Sequence, residues 1–412
     1  MKSRRQFLKT AGAITATLGF PNAGDARSTH ESKFDLSTAG SDDELFAMVR
    51  NQLLIPKTKL YLNTGSLGPS PLSVIEGVNS IARQLEADPV SENWGALGEQ
   101  MERVRTKVAN LIHAAPEEIL LTRNTTEGLG LIAQAFDFKT NDEILTTTQE
   151  HDGALVGLEF ASKTKGVTIK RVDLPMPSQS RQEVIDRINR AITARTKMIL
   201  LSHINTVTGM VMPFQEIAEI TGGRGILLVA DGAQAPGLIK VDVNKLGVDA
   251  YAASGHKWLL GPKETGFLYL NKRIQDSIKG VFNFSGLGSY SASSGTRNVA
   301  TIIGLGAAID FHMQIGVEKI EQRCLDIRNY CLSELKKLNG LKINSPDDTA
   351  LSCGIVSFAL EKVSNKEIYA RLKEQDIVVK LLSSANSIRI SCHMFVSYED
   401  INKFITALKQ LI

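Results

Sequence analysis

Cysteine is scarce in this chain: there are four among 412 residues, Cys324, Cys331, Cys353 and Cys392. None stands in a C-x-x-C pair, so the spacing of a zinc site is missing. The spacing establishes no disulfide either. All four fall in the last quarter of the chain and read as small apolar packing residues. An excess of one charge is also missing. The 47 Lys and Arg residues face 44 Asp and Glu, a formal net charge of +3. Lys2, Arg4, Arg5 and Lys9 against Asp25 account for that whole excess within the first 26 residues. The remainder is formally neutral, so the count predicts no basic face for a nucleic acid and leaves only a local patch open. There is no long hydrophobic run and no internal repeat. What is present is an ordinary folded composition, with 43% apolar and 22% charged residues, 33 Gly and 12 Pro. That excludes a disordered, collagen-like or coiled-coil chain. The length leaves ample chain for a large core and suggests two to three domains.

The N-terminus reads as an address. Ser3-Arg4-Arg5-Gln6-Phe7-Leu8-Lys9 precedes the mildly apolar run from Thr10 to Phe20, followed by small residues around Ala23-Gly24-Asp25-Ala26. The run is too short and too rich in Ala, Gly and Thr to span a bilayer. A charged start, a short apolar middle and a small-residue end make a signal peptide over residues 1–26. The paired arginines carry the S-R-R-x-F-L-K pattern of a twin-arginine (Tat) signal. The expectation is export of a folded protein through the Tat machinery, a periplasmic location and no membrane attachment after processing. Residues 27–57 read as a polar linker and N-terminal arm.

From about 115 to 270 short β-rich runs alternate with helical stretches. The runs are Ile119–Thr122, Ile144–Thr148, Val167–Val172, Met198–His203, Ile226–Ala230 and Gly266–Leu270. Helices are expected at Gln182–Ile192 and Phe214–Ile220. This alternation predicts crossover connections and a mostly parallel sheet covered on both faces. Ligands then collect at the carboxyl ends of the strands. Beyond Arg297 the pattern becomes one long helix from about Ile302 to Leu338. A strand at Gly354–Ala359, a helix at Lys366–Gln375, a strand at Ser387–Ser391 and a last helix from Tyr398 follow. The domains read as 58–296, large, and 297–412, a smaller α+β unit.

The chemistry concentrates at strand ends. A buried strand from Ile226 runs into Asp231-Gly-Ala-Gln234. Downstream, Lys257 is wedged among Ser254, Gly255, His256 and Trp258, unlike a solvated surface lysine. A Schiff-base lysine needs such a desolvated setting, and a strand-end carboxylate can hold the proton of a pyridinium nitrogen. After strand Ile119–Thr122, the stretch Arg123-Asn-Thr125-Thr126-Glu-Gly128 opens a helix whose free N–H groups and hydroxyls suit a phosphate. Simple N-capping by threonine is the competing reading of that stretch alone.

These motifs, in this order, resemble the class V aminotransferase family of fold-type I enzymes dependent on pyridoxal phosphate (PLP). That family also holds cysteine desulfurases and isopenicillin N epimerase-like proteins. The resemblance covers residues 58–412. It includes Tyr61–Pro69, Thr122–Glu127, Glu150-His151, Ser202–Gly209, Ala230–Gln234, Ser254–Trp258 and Gly295–Asn298. It implies an α/β fold of type I, with a mostly parallel central sheet in the large domain. By resemblance, Lys257 would carry PLP as a Schiff base and move the substrate's α-proton. Asp231 would pair with the ring nitrogen, His151 would stack on the ring, and Gln234 would bond its hydroxyl. Thr125, Thr126, Ser254 and His256 would bind phosphate. Thr296 would reach the phosphate of a neighbouring subunit, because family sites form at a homodimer interface. Arg389, on the strand Ser387–Ser391, would grip the substrate's α-carboxylate with a bidentate fork. An arginine paired with a surface acid is the competing reading.

The chain departs from its relatives in two places. The stretch Val379–Asn386, where desulfurases carry a nucleophilic cysteine, is short and free of cysteine. The asparagine that many relatives carry after Ser202-His203 stands one place early, at Asn205, with Thr206 following. Asn205 is the candidate for substrate contact there. The expected activity is an aminotransferase working on the amino group of an amino acid or a peptide-like substrate. An epimerase or a C–S/C–N lyase is the alternative within the family. A PLP-fold protein that only binds amino acids is the alternative outside catalysis.

Overall fold

The computed structural model describes residues 38–178, 180–278 and 296–412. The signal read in residues 1–26, the start of the arm and Gly295 lie outside the described residues.

A short strand, β1 (Leu60–Tyr61), precedes a seven-stranded sheet. That sheet contains β2 (Ile119–Thr122), β3 (Glu143–Thr147), β4 (Thr168–Val172), β5 (Thr196–Ser202), β6 (Leu227–Asp231), β7 (Ala250–Ser254) and β8 (Gly266–Leu270). Its order is β2-β8-β7-β6-β5-β3-β4, with β8 alone antiparallel to its neighbours. The interior strands β6, β7 and β8 are buried along their whole length, and β5 at every residue but Lys197, as strands covered on both faces must be. Met198 and Leu200, Leu227 and Val229, and Ala250 and Ala252 share one apolar cluster with residues of helices Thr125–Ala135 and Asp152–Lys165. Side-chain alternation then brings Ser202, Asp231 and Ser254, the last residues of β5, β6 and β7, to that same face. The sheet therefore aligns three polar groups at its carboxyl edge, beside the N-termini of two helices.

A four-stranded antiparallel sheet follows, in the order β12-β13-β10-β9: β9 (Leu341–Ile343), β10 (Ile355–Leu360), β12 (Lys380–Leu382) and β13 (Ser387–Ser391). The remaining strand, β11 (Ile377–Val378), pairs in parallel with β1. The start of the described chain is thus joined to its C-terminal third.

The expected strands and helices between 115 and 270 are present within a residue or two. The single helix expected over Ile302–Leu338 is instead two, Val299–Ile315 and Val317–Leu335, bent by 77° at Gly316. Gly316 has φ 95°, ψ 124°, a conformation that a side chain disfavours. The first of these helices packs on helices Leu72–Ala87 and Ala96–Ile112. Part of the expected linker is helical, from Asp42 to Asn51. Ser41 caps it by accepting the Glu44 amide at 3.2 Å, and three acidic residues occupy its first turn.

Candidate active site

Lys257 and Asp231 lie within electrostatic reach of one another at the carboxyl edge of the sheet. Burial lowers the Lys257 ammonium to about 8; Asp231 opposes that fall and Arg389 adds to it. Asp231 sits at the end of β6, 5% exposed, and its Oδ1 accepts the Ala233 amide at 2.9 Å. Burial raises its carboxyl, and Lys257 and His151 act in the opposite direction. Lys263, the next lysine along the chain, donates instead to the Gly68 carbonyl at 3.1 Å.

The start of helix Thr125–Ala135 meets the end of β7. The Thr125 amide donates to Ser254 Oγ at 3.0 Å, and the two hydroxyl oxygens lie 2.8 Å apart. Asn124 caps this helix through the Glu127 amide. Gly266 permits the approach, since a Cβ there would lie 3.0 Å from the Asn124 Cα and 2.5 Å from the Ala253 carbonyl oxygen. Thr126 is exposed beside the neighbouring helix start, 2.5 Å from where a Cβ on Gly153 would fall. His256 is half-buried, and burial lowers its imidazole to about 4, helped by Lys257 and Lys263. Its Nδ1 is buried without a partner.

His151 caps helix Asp152–Lys165, its Nδ1 accepting the Gly153 amide at 3.0 Å. This is the capping role that competes with ring stacking in the sequence, and it leaves the ring face and Nε2 uncommitted. Burial and then Lys257 lower its pKa, so the ring is neutral at physiological pH. Gln234 is held on both sides: Oε1 accepts Trp258 Nε1 at 2.7 Å, and Nε2 donates to the Gly65 carbonyl at 2.9 Å.

Arg389 is 2% exposed, on β13. Nη1 donates to the Thr206 hydroxyl at 2.6 Å and its carbonyl at 3.2 Å; Nη2 donates to Ser66 Oγ at 3.2 Å. Its Nε has no partner, and among the described residues no carboxylate pairs with it. Burial lowers its pKa to about 10. A buried guanidinium held only by neutral groups is a costly arrangement unless an anion arrives to complete it. Asn205 does not reach this arginine. Its Oδ1 accepts the Val207 and Thr208 amides at 2.9 and 3.0 Å and so braces its own turn, while Thr206 makes the contact. Ser66 and Gly65 are further participants that the motifs left unassigned. A Cβ on Gly65 would lie 2.9 Å from Gln234 Oε1 and 3.0 Å from Arg389 Nη2. Thr296 is exposed just before helix Val299–Ile315, and the neighbouring Arg297 donates to the Leu121 carbonyl at 2.6 Å.

These groups suit pyridoxal phosphate. Thr125, Ser254 and His256 offer donors at a helix start, Asp231 offers a buried carboxylate for a ring nitrogen, and Lys257 offers a depressed amine. The unpartnered His256 Nδ1 and Arg389 Nε mark places where protein groups alone leave polar atoms unsatisfied.

Residues 61–404 match the family model described as aminotransferase class-V. A probable cysteine desulfurase of Halalkalibacterium halodurans is 30% identical over 384 residues, covering 85% of this chain and 92% of that protein. An isopenicillin N epimerase of Streptomyces clavuligerus is 27% identical over 387 residues, covering 88% and 97%. Among solved structures, the cystine C–S lyase C-DES in complex with cysteine persulfide superposes with a TM-score of 0.80 at 24% identity, covering 85% and 97%. Another structure of C-DES, with glycine linked covalently to its PLP cofactor, also gives 0.80 at 24% identity, covering 87% and 98%. These likenesses extend over nearly the whole described chain and place it in a fold-type I architecture. The chain belongs to the aminotransferase class-V family, which is pyridoxal-phosphate dependent.

Proposed function

We propose that this enzyme is an aminotransferase acting on the α-amino group of an amino acid or amino-acid-containing substrate. The observation that carries the reading is Arg389, a buried fork without a carboxylate partner, in the same electrostatic cluster as Lys257. A substrate α-carboxylate would complete the fork with charge-assisted bonds. That would fix the α-carbon relative to the Lys257 amine. Bound PLP supplies an electron sink that makes the α-C–H acidic. The Lys257 Nζ, already partly unprotonated at neutral pH, would then take the α-proton, and in an amino transfer would deliver it to the cofactor rather than back to the α-carbon. Asp231 holds negative charge at the sheet edge, and His151, neutral and anchored by its cap, covers the site without competing for that charge.

Sulfur abstraction is disfavoured. All four cysteines are buried, and the β12–β13 connection is a tight turn without cysteine. Burial also raises the Cys353 thiol to about 12 and holds Cys324 well above the ordinary range. The likeness to isopenicillin N epimerase supports epimerisation as the second reading. Incubating PLP-loaded enzyme with a panel of amino acids and keto acids separates the two. Keto-acid product with stoichiometric amino transfer is expected. Loss of optical activity without keto acid would instead establish an epimerase.

The Arg4-Arg5 leader supports a periplasmic placement through Tat export. Fractionating cells that express the chain with Arg4→Lys and Arg5→Lys should move the enzyme to the cytosol. A homodimer is proposed on the family resemblance of Thr296, and a monomer by sedimentation would reject it.

A further inference from the structure

A second buried carboxyl lies beside the site. Glu150 follows β3 and is 9% exposed. Its Oε1 accepts Thr147 Oγ1 at 2.7 Å, and its Oε2 accepts the Ser202 amide at 3.0 Å and is bonded to the Ser202 hydroxyl. Ser202 is the register partner of Asp231 across β5 and β6, on the same face. The two carboxyls therefore stand one strand apart in a buried setting. Two neighbouring buried carboxylates cannot both ionise cheaply, and their surroundings decide which keeps the proton. Asp231 feels the Lys257 ammonium and, more weakly, the His151 ring, and Arg389 acts in turn on Lys257. Behind it lie Tyr251 and His203, bonded to each other at 3.0 Å and neutral. Glu150 has hydroxyl and amide partners and feels Asp231, and among the described residues it forms no ion pair.

We propose that Glu150 is a positioning residue for Asp231: it keeps the proton of the pair, so that the negative charge rests on Asp231, the residue that would hold the cofactor's ring nitrogen. The inference rests on the PLP site and not on which amino-group reaction follows. Burial pushes the Glu150 carboxyl up to about 7, with Asp231 adding to the rise and the Ser202 and Thr147 bonds restraining it. Its ionisation thus falls in the physiological range and adds a second negative charge beside Asp231, which the ring nitrogen would sense.

The test uses holoenzyme and the visible absorption of bound PLP as a function of pH. The wild type should show a step with a midpoint about 7, accompanied in infrared difference spectra by loss of a protonated carboxyl band. Glu150→Gln keeps the side chain's size and its bonding to Ser202, and should retain the cofactor through gel filtration while losing both signals. Identical titrations in the wild type and Glu150→Gln would overturn the proposal. Should Glu150→Gln fail to fold, Ser202→Ala provides the test, since it removes one bond that favours the charged form. Its step should move to higher pH, and an unmoved step would overturn the proposal.

Discussion

At the scale of single residues, two buried cations set the behaviour of the site. Arg389 is expected to discriminate for the α-carboxylate. In Arg389→Lys, kcat/KM for an amino acid should fall about 100-fold, the loss of a charged, bidentate contact, while kcat/KM for the amine lacking that carboxylate stays nearly unchanged. Steady-state kinetics on the matched pair checks this. Lys257 makes a prediction about stability. Its pKa in the fold, about 8, lies below the ordinary value of 10.5, so the unfolded chain binds the proton more tightly. This group therefore adds stability to cofactor-free protein as pH rises from 8 towards 10.5, by about 3 kcal/mol at most, and contributes no slope below 8. Denaturant midpoints of apo wild type minus apo Lys257→Met should trace that rise. Both residues were legible in the sequence because each sits in a short local motif with its chemistry displayed. Thr206, Ser66 and Gly65 were not assigned, because their roles arise only when positions 65, 206, 234 and 389 converge.

At the scale of elements, strand ends were the readable part. Apolar runs predicted six of the sheet's seven strands, and the residues at their ends pointed to its functional edge; β7, short and rich in alanine, was not among them. The failures have local causes. Ser28–Asp43 is polar, yet Ser41 and the acids after it start a helix whose apolar residues Leu45, Phe46 and Val49 are buried. The region from Ile302 onward shows continuous helical periodicity, and only the backbone of Gly316 reveals the break. Gly316→Ala should cost about 1–3 kcal/mol, because its backbone angles rather than a clash require glycine. A Cβ there would meet nothing nearer than Lys319 at 3.9 Å. Calorimetry should show the lower Tm, with activity preserved at temperatures well below it.

At the scale of the whole molecule, the thiols are the clearest prediction. Cys324, Cys331, Cys353 and Cys392 all lie inside the C-terminal part, none paired. A thiol-reactive dye should label native protein at none of the four and denatured protein at all of them, read by intact mass. The reading of these residues as packing groups agrees with their complete burial. The joining of β1 to β11 is a different matter, since no pattern in either two-residue strand announces a partner some three hundred residues away.

That pairing bears on how the protein is made. The turn holding Gly65 and Ser66 is anchored by β1, whose partner Ile377-Val378 leaves the ribosome after every strand of the seven-stranded sheet, and Arg389 emerges later still. The seven-stranded sheet can assemble on a nascent chain, but the carboxylate grip cannot. A polypeptide stopped before β13 would keep the lysine and the aspartate and have no means to orient a substrate. Translation must therefore pass β13 before this enzyme can choose what it acts upon.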